Sequence, residues 1–184
     1  LAIMNNSKNV HHEVMRAEVP GPVFGKVVAK LKNTAQILYI IYLGMFVIFA
    51  MILWICGMPL FDSIVIAMGG AGTGGFAVYN DSIAHYNSDL ITYVVTVGTL
   101  LFGVNFNLYF YILLRKIRFF FQDEELRTYL TIVAVSTSLI ILNIFGIYHS
   151  LANSFKYSFF EVSTIITTTG FGLTDITKWP LFSQ

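Results

Sequence analysis

Three stretches of this chain contain no Asp, Glu, Lys or Arg: between Lys32 and Asp62, between Asp89 and Arg115, and between Arg127 and Lys156. Each gap can house about 20 apolar residues, the length a bilayer core demands of a helix. The chain has 184 residues, 56% hydrophobic and 11% charged, with a mean hydropathy of +0.71. Soluble domains carry roughly a quarter charged residues. The sequence therefore reads as an all-α membrane protein whose charges are confined to the connections.

The spans are predicted at Ala35–Cys56, Ile91–Leu114 and Tyr129–His149, with Gly57 and Pro59 ending the first. Two further apolar segments, Phe61–Met68 and Phe155–Ile166, are too short to cross. The first runs into the glycine-rich stretch Gly69–Phe76, the second into Thr167-Thr168-Thr169-Gly170-Phe171-Gly172. A short apolar helix followed by irregular backbone suggests a re-entrant segment, which membrane depth tolerates only where protein or a water-filled cavity satisfies it. Residues 78–88 read as an aqueous loop. Five Lys or Arg residues fall in 1–32 and four in 115–127, leaving only Lys156 and Lys178 elsewhere. The positive-inside bias puts 1–32 and 115–128 in the cytoplasm and brings both short segments in from outside.

Laying Thr73-Gly74-Gly75-Phe76 over Thr168-Thr169-Gly170-Phe171, an offset of 95 residues, superimposes the order of span, short helix and Gly/Thr-rich descent, which is followed by a closing span in the first copy alone. A repeat of this kind is a unit that needs partners to close a core. Its chemistry is that of a cation path. An ion stripped of water must regain oxygen ligands, and neutral carbonyls bind firmly enough to dehydrate it yet let it go. Glycine lets successive carbonyls face one axis by adopting left-handed angles cheaply. The preceding helix aims the negative end of its dipole at the cavity. The expected ion-binding residues are Thr73, Gly74, Gly75, Thr168, Thr169 and Gly170, with Phe171 as a packing wedge behind them.

Thr168-Thr169-Gly170-Phe171-Gly172 resembles the Thr-Val-Gly-Tyr-Gly filter of potassium channels. The whole chain resembles the TrkH/KtrB family of bacterial potassium-uptake membrane subunits, within the Trk/Ktr/HKT superfamily. The carriers of that resemblance are Val14–Pro22, Gly72–Phe76, Val104-Asn105-Phe106-Asn107, and Thr167–Gly172 leading to Asp175 and Trp179-Pro180. The resemblance implies a pseudo-fourfold pore of span–pore-loop–span units in one chain. Residues 1–32 would be a cytoplasmic linker after a first repeat, 33–114 the second repeat, 115–128 a cytoplasmic connection, and 129–184 the first span and pore loop of the third. The sequence then reads as an internal piece of a longer inner-membrane protein. The resemblance also implies potassium as transported substrate, a homodimer and a cytoplasmic nucleotide-binding regulatory subunit.

Four further residues are candidates for the pore or its mouth. Asn105 either lines the path or ties two helices together. Glu161 either concentrates cations at the mouth or makes a local hydrogen bond. Asp81 and Asp175 are rim charges or solvated loop residues. Enzyme chemistry is not expected, because no nucleophile–base pair, phosphate-binding loop or carboxylate dyad occurs. With Cys56 as the only cysteine and His85 and His149 isolated, neither a cofactor nor a transition-metal site is expected. Net charge of +1 carries no message about nucleic acid, no basic stripe with interleaved aromatics occurs, and no nucleic-acid partner is expected. The competing class is a sodium- or proton-coupled cation carrier with glycine-broken helices, but carriers often use inverted repeats, whereas these two copies run the same way.

Overall fold

The computed structural model describes residues 23–113, 115 and 117–183. Most of the expected linker over 1–32, including Val14–Pro22, lies outside them. The described residues fall into two units, one ending at Leu43 and the other starting at Gly44, and both short helices lie within the second. The described residues are helical or irregular, with no strand among them.

Helix α1 is described over Val23–Ile55. Its apolar part, Ala35–Ile55, is long enough to cross a membrane. The first short helix, α2 (Leu60–Ala71), runs three residues beyond the expected Met68 and takes in Gly69 and Gly70. Packing explains this. A Cβ on Gly69 would come within 2.7 Å of the Phe76 carbonyl oxygen, and one on Gly70 within 3.1 Å of the Phe49 ring. These two glycines are helical and serve close approach, not backbone freedom.

The second span is where the sequence reading needs correcting. In place of one helix over Ile91–Leu114 there are two, α3 (Asp89–Phe102) and α4 (Phe106–Leu113), bent by 91°. Asn105 lies in the break. Its Oδ1 accepts from the Asn107 N–H at 3.0 Å, starting α4, and its Nδ2 donates to Glu125 Oε2 at 2.9 Å. Carbonyls released by the break must find donors in a low-dielectric setting. Tyr109 donates to the Leu101 carbonyl at 2.6 Å and Tyr129 to the Leu100 carbonyl at 3.2 Å. An apolar cluster of Val104, Leu108 and Leu126, flanked by Tyr109, Phe120 and Tyr129, fills the inside of the corner.

After the short helix α5 (Ile117–Gln122), α6 (Glu124–Tyr148) starts five residues before the expected Tyr129. Asp123 is its N-cap, accepting from the Leu126 N–H at 2.8 Å, and Glu124 and Glu125 suit the positive end of the dipole. The second short helix, α7 (Leu151–Ile166), is capped by Ser150, again ahead of the expected start at Phe155. It packs chiefly on α6 and α3. Small buried hydroxyls make that close approach feasible. Thr92, Thr96 and Thr99 on α3 bond back to their own helix, and Ser154, Ser158 and Ser163 on α7 are fully buried. Thr99 reaches Ser163 Oγ across the seam at 3.5 Å.

Candidate functional site

The chain leaving each short helix makes the same turn twice, at the offset of 95 residues. In the first copy the Thr73 N–H donates to the Gly70 carbonyl at 3.2 Å, while the Gly74 and Gly75 amides both reach the Gly69 carbonyl, at 2.8 and 3.3 Å. In the second, Thr168 donates to Ile165 at 2.9 Å, while Thr169 and Gly170 both reach Thr164, at 2.8 and 3.3 Å. The backbone angles repeat as well. Thr73 and Thr168 have φ of 49° and 57°, and Gly75 and Gly170 have φ of 62° and 79°. The residues between them, Gly74 and Thr169, do not share that sign. Alternating handedness is what keeps successive carbonyls on one side of a chain.

Left-handed backbone is cheap for Gly75 and Gly170 but costs an L-residue about 1–2 kcal/mol. It is least tolerated by a β-branched residue such as threonine. Two threonines at matching positions carry that cost. Strain of this kind persists where the surroundings over-determine it and clusters at functional sites.

The two turns meet backbone to backbone. A Cβ on Gly75 would stand 2.2 Å from the Thr169 carbonyl oxygen and 3.0 Å from the carbonyl carbon and oxygen of Gly170, so only glycine admits this contact. Downstream, the Ile83 N–H donates to the Gly172 carbonyl at 3.0 Å, and the Gly172 N–H donates to Ser82 Oγ at 3.2 Å. Phe171 is 2% exposed, with its ring 3.2 Å from where a Gly69 Cβ would be. It is the packing wedge the sequence suggested, seated on the short helix of the other copy. Its counterpart Phe76 is 74% exposed.

The threonine hydroxyls divide in role. Thr167 donates to the Ser163 carbonyl at 2.6 Å and shares a 2.8 Å bond with Thr169 Oγ1, both side chains being buried. Thr168 and Gly170 are exposed. Thr169 thus offers its carbonyl, with its hydroxyl already used. The break in the second span touches the same place, since a Cβ on Gly103 would come within 2.8 Å of Thr167 Cγ2 and of Tyr129 Oη.

The other candidates sit apart from the turns. Asp81 is an exposed residue preceding the 3-10 turn Ser82–Tyr86. Asp175 accepts from the Thr177 hydroxyl at 2.6 Å and the Thr177 N–H at 3.2 Å. Those bonds, with Lys178 nearby, hold its carboxyl below the usual range. Glu161 is no surface charge: it is 6% exposed, and its carboxyl faces the backbone amides of Leu173 and Thr174. Sequence reasoning passed over Asp62, which is 4% exposed and accepts from the Tyr86 hydroxyl at 2.9 Å. Its signal was a lone carboxylate in the first turn of an apolar helix, where it reads as a dipole partner. Among the described residues no group of three or more His, Cys, Asp or Glu could hold a metal.

No protein-family model matches the chain. Individual relatives do. It is 33% identical over 176 residues to the Trk system potassium uptake protein TrkH of Salmonella typhimurium, covering 92% of this chain and 36% of that protein. It is 32% identical over 174 residues to the Trk system potassium uptake protein TrkG of Escherichia coli K12, covering 91% of this chain and 35% of that protein. The fold matches the crystal structure of the potassium transporter TrkH from Vibrio parahaemolyticus with a TM-score of 0.79 at 28% identity, covering 84% of this chain and 34% of that one. The chain thus spans about a third of the length of these relatives. Sequence and fold agree along nearly all of it, and the chain belongs to the Trk family of membrane proteins.

Proposed function

We propose that this chain forms part of a pore for potassium uptake across the cytoplasmic membrane. The backbone carbonyls of Thr73–Gly75 and Thr168–Gly170 form two walls of its selectivity filter. The observation that carries this reading is the pair of identical turns, strained at matching threonines and in backbone contact through Gly75. The relatives' potassium-uptake names support the choice of ion. Residues 33–114 and 129–184 are the two repeats, joined by a cytoplasmic connection at 115–128, and both pore loops enter from outside. The cation asymmetry between the two sides supports that orientation.

The contact between the copies is head-to-tail, and such an interface leaves one free face at each end. The second copy's Phe171 sits on the first copy's short helix, while Phe76 lies open; the Thr169 carbonyl meets Gly75, while a Cβ on Gly170 meets nothing within 4 Å of the described residues. We assign those two open faces to further units of the same kind. Asp81 and Asp175 act as rim charges, and Asn105 stabilises the broken span beneath the filter without touching the ion. The homodimer and the cytoplasmic nucleotide-binding subunit are proposed on family resemblance.

The test is Gly170→Ser in the complete protein, reading rubidium and sodium uptake in cells without other potassium uptake. Weakened discrimination between the two ions is expected. Unchanged rubidium uptake together with unchanged sodium exclusion would sink the assignment.

A further inference from the structure

Each short helix buries one carboxylate, and each carboxylate meets chain downstream of its own turn, at Tyr86 in the first copy and at Leu173 and Thr174 in the second. On α2, Asp62 accepts from the Tyr86 hydroxyl at 2.9 Å. On α7, the Glu161 carboxyl faces the Leu173 and Thr174 amides, and its Oε1 is buried with no partner in ordinary hydrogen-bonding geometry. Thr174 is held from a second side, since its Oγ1 lies 3.3 Å from Tyr148 Oη, which also accepts from Trp179 Nε1 at 3.2 Å. The segment leaving the second turn thus passes the buried Glu161 carboxyl on α7 and is fastened to α6 by Tyr148.

The two carboxylates are not equivalent positions of the repeat. The offset of 95 residues sets Ile66 opposite Glu161 and Tyr157 opposite Asp62. Ile66 is fully buried, so an apolar side chain fills the Glu161 position well in the other copy. A buried carboxyl is expensive unless its bonds return something. Here each return is a fixed position for chain downstream of the turn.

We propose that Asp62 and Glu161 are positioning residues, buried carboxylates that tether the downstream ends of the two turns so that the carbonyls of 73–75 and 168–170 keep their spacing around an ion. The inference rests on the pore reading above, and neither group touches the ion.

The experiment uses the complete protein and reads the ratio of rubidium to sodium uptake per molecule in the membrane, for Glu161→Gln, Glu161→Leu and Tyr86→Phe. Glutamine keeps a carbonyl acceptor for the amides, so Glu161→Gln should stay within about threefold of the parent, a neutral bond replacing a charge-assisted one. Glu161→Leu removes the acceptor facing those amides and should lower the ratio about tenfold, or about 1.4 kcal/mol. Tyr86→Phe removes one hydroxyl, keeps the ring, and should lower the ratio in the same direction. Should Glu161→Leu fail to accumulate, Tyr86→Phe decides alone. Unchanged ratios in these two variants, even with less protein in the membrane, would overturn the proposal as a folding effect only. It would equally be overturned if Glu161→Gln slowed uptake at low ion concentration with the ratio intact, which is the signature of charge attraction. A parent protein that does not distinguish rubidium from sodium would count against the pore reading itself.

Discussion

Gly75→Ala is the substitution whose consequence the geometry defines most fully. Residue 75 has φ of 62°, and its new Cβ would lie 2.2 Å from the Thr169 carbonyl oxygen. The backbone alone costs about 1–2 kcal/mol. Overpacking against a main chain that cannot swing aside adds about 1–3 kcal/mol. The neighbouring atoms are Thr169 and Gly170, proposed filter carbonyls, so relief must come from moving them. If only about 1.4 kcal/mol of that cost appears as unequal fit to the two ions, discrimination falls about tenfold. The assay is rubidium uptake by the complete protein with sodium as competitor, normalised to the amount in the membrane. Normal amounts of Gly75→Ala with an unchanged ion ratio would refute the reasoning, because a methyl group there cannot be silent if the two turns touch as described.

Two further substitutions probe the supports of the turns. Phe171→Ala empties the wedge between Gly69 and Gly70 and should destabilise the folded protein by about 3–5 kcal/mol, visible as a lowered melting temperature in detergent; a shift no larger than that of an exposed aromatic would contradict the burial. Gly103→Ala drives a methyl group toward Thr167 Cγ2 and Tyr129 Oη, each 2.8 Å away, and should cost about 1–3 kcal/mol and slow ion uptake. Wild-type uptake with wild-type thermal stability would show that the break in the second span does not press on the filter's foot.

Much of this arrangement was legible in the chain. The charge-free gaps marked the spans because a bilayer core allows little else. The Thr-x-Gly-Phe pair marked both turns because few sequences supply hydroxyls and left-handed backbone together. Helix beginnings were less visible, since Asp123 and Ser150 act as caps only once their side chains fold back on the helix. The break at Gly103–Asn105 hid inside an apolar run, because its carbonyls are answered by Tyr109 and Tyr129, the second 29 residues away from Leu100. Glu161 stood open between two readings for a related reason. Its spacing said that it lay on a short helix, but its burial shows only once the fold brings residues 173–174 beside it.

The central claim is that the backbone at 73–75 and 168–170 replaces the water around a passing cation. The most direct measurement is anomalous diffraction from crystals of the complete protein grown with rubidium in place of potassium. The account predicts rubidium density on the axis between these two stretches, within direct coordination reach of their carbonyl oxygens. Rubidium bound only elsewhere, with the carbonyls of Thr73–Gly75 and Thr168–Gly170 turned away from it, would contradict the account.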